Sequence, residues 1–352
     1  MTGAPLNVVL VGYGAAGKVF HAPLIAHVPG LRLHGVVSGN PAAVRADFPD
    51  VAVVADPARA FADDAVDLVV LATPNATHAP LAIAALQAGR HVLVDKPFAT
   101  SLEQAQSVLA AAQAAGRIAS VFQNRRWDAD FLALRALLDA GTLGEVVELH
   151  SHFDRFRPQV PDRWRERAGP GAGLWFDLGP HLVDQVLQLF GMPLAVQADI
   201  AAQRDGAVVD DFFHVVLRYP RLRAVLHAGA LVAAAGPRFA VHGTRGSYLK
   251  YGLDPQEDAL RAGRAPGSPD WGSDPRPGAL SLAENGAVAS RPYPGPPGDY
   301  RACYAAMRDA ILGNGAPPVT PDQALEVMQV LDAGVASAAS GRSIDLRAPT
   351  RA

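Results

Sequence analysis

Apolar residues fall in short runs through the first third of the chain: Leu6–Val11, Leu31–Ser38, Val51–Val54, Leu68–Thr73, His91–Val94 and Ile118–Phe122. Alanine-rich amphipathic segments such as Pro80–Ala88 and Leu102–Ala115 separate them. Strands apolar on both faces, alternating with helices, predict a doubly wound parallel sheet. After about Asn124 the pattern changes. Asp130–Ala140 reads as a helix ended near Gly141, and Val146–Phe153 as a strand of alternating character. Pro180–Phe190 reads as a helix that opens on its proline and closes at Gly191 and Pro193. Phe212–Tyr219, Arg223–Ala230 and Arg238–His242 follow as successive antiparallel strands, and helices over Tyr300–Leu312 and Pro321–Ala339 finish the chain. Residues 262–298, rich in glycine and proline, read as a long surface loop, with a lid or an interface arm as the alternative. The expectation is an α/β domain over 1–122, followed over 123–352 by an α+β domain with a largely antiparallel sheet.

Composition narrows the function classes. A chain of 352 residues, 49% of them hydrophobic, can bury two ordinary cores. A net charge of −3 with no basic stripe argues against a nucleic-acid partner. No apolar run approaches the roughly 20 residues of a membrane span. The first strand-like run begins at Leu6 and leaves no room for a signal peptide, so a cytoplasmic protein is expected and the pattern Asn75-Ala76-Thr77 carries no weight as a glycosylation site. The single cysteine, Cys303, reads as a small buried apolar residue rather than a nucleophile. No close cluster of His, Cys and carboxylates has metal-ligand spacing, so no metal is expected. Lysine occurs only at positions 18, 96 and 250; the other basic residues are arginine, so a lysine hints at a task that arginine cannot perform.

Gly12-Tyr13-Gly14-Ala15-Ala16-Gly17 is a G-x-G-x-x-G pattern that directly follows the first apolar strand and opens a helix-compatible segment. Gly12 permits the tight turn, Gly14 the approach of a pyrophosphate, and Gly17 close packing of helix on strand. The helix N-terminus offers N–H groups to the phosphates. This is the fingerprint of a Rossmann dinucleotide-binding domain. The second strand ends Ser38-Gly39-Asn40 with no carboxylate to bind a ribose 2′-hydroxyl. Ser38 and Arg45, seven residues on, suit a 2′-phosphate, so NADP is expected ahead of NAD; the alternative for Arg45 is an ordinary solvated helix residue. Thr73, Pro74, Asn75 and His78 close the fourth strand, at the carboxyl edge where such sheets bind ligands, and are candidates to line the cofactor. A structural role such as helix capping is the alternative for His78.

Asp95-Lys96-Pro97 ends the fifth strand at the same edge. A lysine there can polarise a hydroxyl or carbonyl oxygen and share its proton, which arginine cannot do. Asp177-Leu178-Gly179-Pro180-His181 places a histidine near the start of the expected helix, with a carboxylate just before it. Alcohol oxidation needs a base for the hydroxyl proton, and histidine titrates in the right range; a satisfied structural histidine is the other reading.

Taken together, the glycine fingerprint, Asp95-Lys96-Pro97 in place of Glu-Lys-Pro, and Asp177 with His181 resemble the Gfo/Idh/MocA oxidoreductase family over the whole chain. The resemblance implies Lys96, Asp177 and His181 as the catalytic group, with Asp95 at the cofactor. It also implies an open C-terminal sheet through which a homodimer or homotetramer assembles. Within the family, Val19-Phe20-His21-Ala22-Pro23-Leu24, Asn124-Arg125-Arg126-Trp127-Asp128, Arg155-Phe156-Arg157-Pro158, Arg163-Trp164-Arg165-Glu166 and Gln256-Glu257-Asp258-Ala259-Leu260 resemble the NADP-dependent scyllo-inositol 2-dehydrogenases. The Ser38-Gly39-Asn40 turn is similar to that of glucose–fructose oxidoreductase, an NADP-binding relative.

A cyclic polyol presents hydroxyls and no charge. Asn124, Arg157, Arg163 and Trp164 offer donors and an apolar wall for it, alongside Lys96, Asp177 and His181; the alternative for the arginines is surface salt-bridging. The expected function is NADP-dependent hydride transfer to or from a cyclic polyol, scyllo-inositol or its ketone. Two alternatives stand: another sugar (aldose, keto-sugar or anhydro-sugar), or an NADP-binding regulator without turnover.

Overall fold

In the computed structural model, which describes residues 4–284 and 286–346, the six apolar runs become one parallel sheet. Its strands are β1 (Leu6–Val11), β2 (Leu31–Val37), β3 (Ala52–Val54), β4 (Leu68–Leu71), β5 (His91–Val94) and β6 (Ala119–Val121). They lie in the order β3-β2-β1-β4-β5-β6, every pair parallel. The order reverses between β1 and β4, which makes their carboxyl ends the crevice where such sheets hold ligands.

The chain divides into two compact units, each described here by itself. The first holds the chain up to Trp127 together with Pro255–Trp271 and Asp299–Leu325. Against the expected single boundary after residue 122, two later segments return to the first unit. The helix Arg301–Ile311 accounts for the last of these, because Tyr300, Cys303, Tyr304 and Met307 are buried in the same core as Val8, Leu10 and Val70.

The second unit holds Asp128–Asp254, Gly272–Gly298 and the chain from Glu326. Its sheet has nine strands: β7 (Val146–His152), β8 (Ala195–Ala201), β9 (Phe212–Arg218), β10 (Arg223–Gly229), β11 (Phe239–Gly243), β12 (Gly246–Lys250), β13 (Gly278–Glu284), β14 (Ala287–Tyr293) and β15 (Ile344–Asp345). The order is β14-β13-β12-β11-β7-β10-β9-β8-β15. All pairs are antiparallel except β7 with β10. Two expectations are corrected. β9 and β10 form a hairpin as expected, but β11 does not follow β10 across the sheet, because β7 lies between them. Residues 262–298 are not one long loop: they contribute β13 and β14 as an edge hairpin. β14 is exposed along almost its whole length, so it has no alternating apolar face to be read.

The core of this unit is built around Trp175, on the helix Gly173–Phe190. Its ring stands edge-on to Phe213 at 5.0 Å, and its Nε1–H donates to the carbonyl of Leu331 at 3.1 Å. Gly179 and Gly334 make room for it: a Cβ on either would stand 2.7 Å from the indole. Trp175→Ala is expected to cost about 3–5 kcal/mol and to lower the melting temperature by several degrees in calorimetry; an unchanged transition would contradict this packing.

Candidate active site

In the first unit the glycine loop follows β1 directly. Gly12 has φ +98°, and a side chain there would run into the carbonyl of Ala72. Gly17 packs so tightly on the carbonyl of Gly12 that a Cβ could not fit. Gly14 has no atom within 4 Å of where its Cβ would be, and Gly14 and Ala15 are exposed, so the main chain there is open to a diphosphate. Ala16 leads into a π-helical turn, Gly17–His21. The Tyr13 hydroxyl donates to Asp47 at 2.8 Å, and Lys18 pairs with the same carboxylate at 2.8 Å. Sequence reasoning missed Lys18 and Asp47, because their pairing joins the glycine loop to a different helix.

At the end of β2, Ser38 Oγ accepts from the main-chain N–H of Asn40 at 3.1 Å, which leaves its own O–H to donate. Asn40 caps the helix Pro41–Asp47 through Ala43 N–H, and Arg45 rides exposed on that helix. Beyond β4, Thr77 donates to Thr73 Oγ1 at 2.7 Å, and Asn75, which follows Pro74, is buried at the start of a 3₁₀ turn.

His78 is buried, with Nδ1 2.8 Å from the Pro97 carbonyl and Nε2 3.0 Å from that of Thr73. Burial holds its pKa below the usual histidine range, against the pull of Asp95. The neutral ring donates to one carbonyl at a time, and His78 braces the two loops.

Asp95 is buried at the end of β5. Its Oδ1 accepts from Lys96 N–H at 2.8 Å, and its Oδ2 stands 3.7 Å from His21 Nε2. Burial pushes this carboxyl up, but the neighbouring His21 imidazole, the charge of Lys96 and the nearby His78 outweigh it and bring the pKa down to about 2. The Lys96–Pro97 bond is cis. Pro97, Phe98 and Ala99 are buried while the Lys96 side chain is partly exposed. Asn124, buried at the start of a 3₁₀ turn, also belongs to this unit. Arg125 beside it pairs with Glu257 at 2.8 Å, and Arg126 donates to Gln323 at 2.9 Å.

The second unit contains a pocket of about 440 Å³, counted out to its open mouth. Phe153 and Leu174 give it an apolar lining, and Arg155, Arg157, Arg163, Arg165 and Arg204 surround it with Glu166, Asp177, Asp210 and Asp211. The charges interlock. Arg204, buried, donates to Asp211 and to Glu166, both at 2.7 Å, and its remaining N–H groups meet the carbonyls of Arg157 and Gln159. Arg163 donates to Glu166 at 2.7 Å. Asp177 stands 3.4 Å from Arg165 and 3.9 Å from Arg155. Arg204 was missed because it sits in a polar loop with no periodic pattern. Trp164 does not line this pocket, where Phe153 supplies the aromatic surface; it is exposed, with Arg165 stacked on its ring at 4.6 Å.

The helix bearing Asp177 and His181 begins at Gly173, so Pro180 lies inside it and His181 is mid-helix, a correction to the expected start at Pro180. The capping signal is remote. Asp210 Oδ2 accepts from Trp175 N–H at 2.6 Å, and the Asp210 carbonyl accepts from Leu174 N–H at 2.8 Å. Gly173, at φ +87°, lets the chain pass where any side chain would overlap the Asp210 carboxylate. His181 is buried, one turn after Asp177. Among the described residues, no group of three or more His, Cys, Asp or Glu is arranged to hold a metal ion, and no helix is long and apolar enough to cross a membrane.

Two family models cover the chain: the oxidoreductase family NAD-binding Rossmann fold over residues 6–123, and the oxidoreductase family C-terminal alpha/beta domain over 135–346. This chain belongs to the Gfo/Idh/MocA oxidoreductase family. It is similar to the uncharacterized oxidoreductase YdgJ of Escherichia coli strain K12, 52% identical over 333 residues, 95% of this chain and 96% of YdgJ. It is similar to scyllo-inositol 2-dehydrogenase (NADP(+)) IolW of Bacillus subtilis strain 168, 38% identical over 97% of this chain and 96% of IolW. A solved oxidoreductase from Yersinia pestis superposes with a TM-score of 0.94, at 48% identity and 99% coverage of each chain. Membership makes the protein an oxidoreductase with an NAD(P)-binding domain, and the open main chain at Gly14 fits a dinucleotide.

Of the three lysines of this Gfo/Idh/MocA protein, Lys250 is spent on a buried pair with Asp274 at 2.8 Å, so lysine scarcity by itself does not mark chemistry. Asp210 gives the pocket a pH signature. Burial, only partly offset by its main-chain hydrogen bonds, raises its pKa from 3.8 to about 6. A raised carboxyl contributes stability below its unfolded pKa and loses it as pH rises through about 6. Asp210→Asn keeps an acceptor for Trp175 and removes the titration. The melting temperature of the variant relative to the parent is therefore expected to rise between about pH 4.5 and pH 7.5; a difference that falls over this range would contradict the assignment.

Proposed function

We propose that this protein is an NADP-dependent dehydrogenase of cyclic polyols, with scyllo-inositol, or its ketone in the reverse direction, as the first candidate. The observation that carries the reading is the charge balance of the pocket in the second unit. Glu166, Asp177 and Asp211 already occupy Arg155, Arg163, Arg165 and Arg204. A ligand there meets mostly paired donors and acceptors, Arg157 excepted, which suits a ring of hydroxyls with an apolar edge against Phe153 and Leu174. The name of IolW agrees in substrate and cofactor. For the cofactor, the support is that β2 ends on Ser38 without a carboxylate.

In this reading the glycine loop and the end of β2 would hold a dinucleotide, whose nicotinamide would supply the hydride acceptor or donor for the carbinol carbon. His181 takes the hydroxyl proton, Asp177 orients the site through its arginine partners, and Lys96 polarises the reacting oxygen and shares its proton. Self-association through the second sheet, implied by the family resemblance, belongs to the same proposal. One observation favours a second reading, a sugar that carries an anionic group: Arg157 has no ion pair among the described residues.

The test is NADP reduction with a panel of cyclitols, neutral sugars, sugar acids and sugar phosphates. A cyclitol is expected to give the highest kcat/KM. Preference for an acid or phosphate rejects the neutral-polyol reading, and preference for a neutral pyranose discards only inositol. Lys96→Ala and His181→Ala should each lose about 10²–10⁴-fold in turnover, the worth of a positioned acid or base, and Lys96→Arg should not restore it. Separately, Ser38→Asp should abolish or invert the NADP preference in the ratio of kcat/KM for the two cofactors; a parent enzyme that favours NAD would refute the cofactor assignment.

A further inference from the structure

The polar residues buried in the first unit include a chain that the reaction as assigned above does not use. It runs from Tyr304, on the helix Arg301–Ile311, through His21, on the π-helical turn after the glycine loop, to Asp95 and the main chain of Lys96. The Tyr304 hydroxyl lies 2.6 Å from His21 Nδ1. His21 Nε2 is buried without a hydrogen-bond partner, and the atom it faces is Asp95 Oδ2 at 3.7 Å. Asp95 Oδ1 holds Lys96 N–H at 2.8 Å.

We propose that Tyr304 and His21 are positioning residues for Lys96, acting through Asp95. The Tyr304 hydroxyl fixes which nitrogen of His21 carries the proton. His21 then presents N–H to one oxygen of Asp95, and the other oxygen holds the residue whose side chain does the acid–base work. The proposal rests on the reading of Lys96 as that residue.

Three observations carry it. First, the chain cannot slacken. Tyr304 and His21 are fully buried and Asp95 nearly so, and the imidazole is packed against Phe122 at 4.5 Å, which itself packs on Tyr304 at 5.6 Å. Second, its ends have fixed roles. Burial keeps the tyrosine hydroxyl protonated, a donor, and the carboxylate stays ionised, an acceptor. A neutral imidazole satisfies both contacts only with its proton on Nε2. Third, phenylalanine and leucine would fill positions 304 and 21 without desolvating a hydroxyl and an imidazole. Here the polar version is built from two segments 283 residues apart in sequence, and π-helical turns of the kind that carries His21 often mark functional sites.

The experiment pairs kinetics with a spectroscopic readout. In ¹⁵N spectra of histidine-labelled protein, His21 should show a protonated Nε2 and an unprotonated Nδ1, and Tyr304→Phe should shift or mix that tautomer. With the polyol turned over fastest in the panel above, Tyr304→Phe should lower kcat about 10-fold, the usual worth of a partner that orients an active group, with KM for polyol and NADP unchanged. His21→Gln, whose amide can accept from Tyr304 and donate to Asp95, should keep most of the activity, and His21→Leu should not. In a Lys96→Ala background, Tyr304→Phe should cost nothing further. A Tyr304→Phe enzyme with parental kcat, a protonated Nδ1 in the parent, or an undiminished loss in the Lys96→Ala background would each overturn the proposal. Parental turnover by Lys96→Ala alone would instead remove the reading of Lys96 on which it rests.

Discussion

Five arginines surround one small pocket, and a guanidinium cannot be buried unless carboxylates and carbonyls take up its donors. Arg204 shows how that constraint shapes the second unit. Each of its donor nitrogens is used: Nε on Asp211, Nη2 on Glu166, Nη1 on the carbonyls of Arg157 and Gln159. The first two contacts neutralise it, and the last two fasten the segment that carries Arg157 to the wall of the pocket. Removing one partner of such a pair typically costs about 3–5 kcal/mol, because the other charge is left buried. Glu166 is shared with Arg163, so the same carboxylate sets two sides of the cavity. The proposed reading of an uncharged, hydroxyl-rich ligand rests on this pairing more than on any single residue.

Both units brace the main chain beside the proposed site residues. In the first, His78 spans the loops after β4 and β5, and Asp95 holds the N–H of Lys96. In the second, Asp210 reaches in from outside the helix to cap the turn that precedes Asp177, and only glycine fits at position 173 beneath it. Each brace is a buried polar group tied to main chain, which fixes direction as well as distance.

The parallel sheet was legible because its strands are apolar on both faces and its glycine loop has a fixed spacing, so period and punctuation agreed. The position of Lys96 at the end of β5 and the four-residue spacing of Asp177 and His181 could also be read locally. What could not be read depended on distant partners. The helix of His181 starts at Gly173 because of Asp210, and no local residue announces that cap. β14 is exposed and so has no apolar rhythm. Tyr304 and His21 meet across nearly the whole chain.

The central claim is that most of the arginine charge around the pocket is taken up by its own carboxylates and is not offered to the ligand. The most direct measurement is the dissociation constant of the preferred substrate as a function of ionic strength. Between about 20 mM and about 300 mM added salt, where the Debye length shrinks several-fold, affinity for a neutral ligand in a charge-balanced pocket should change by less than about 2-fold. A preferred ligand whose affinity falls about 10-fold over the same range would show that unpaired arginine charge does the binding and would contradict the account.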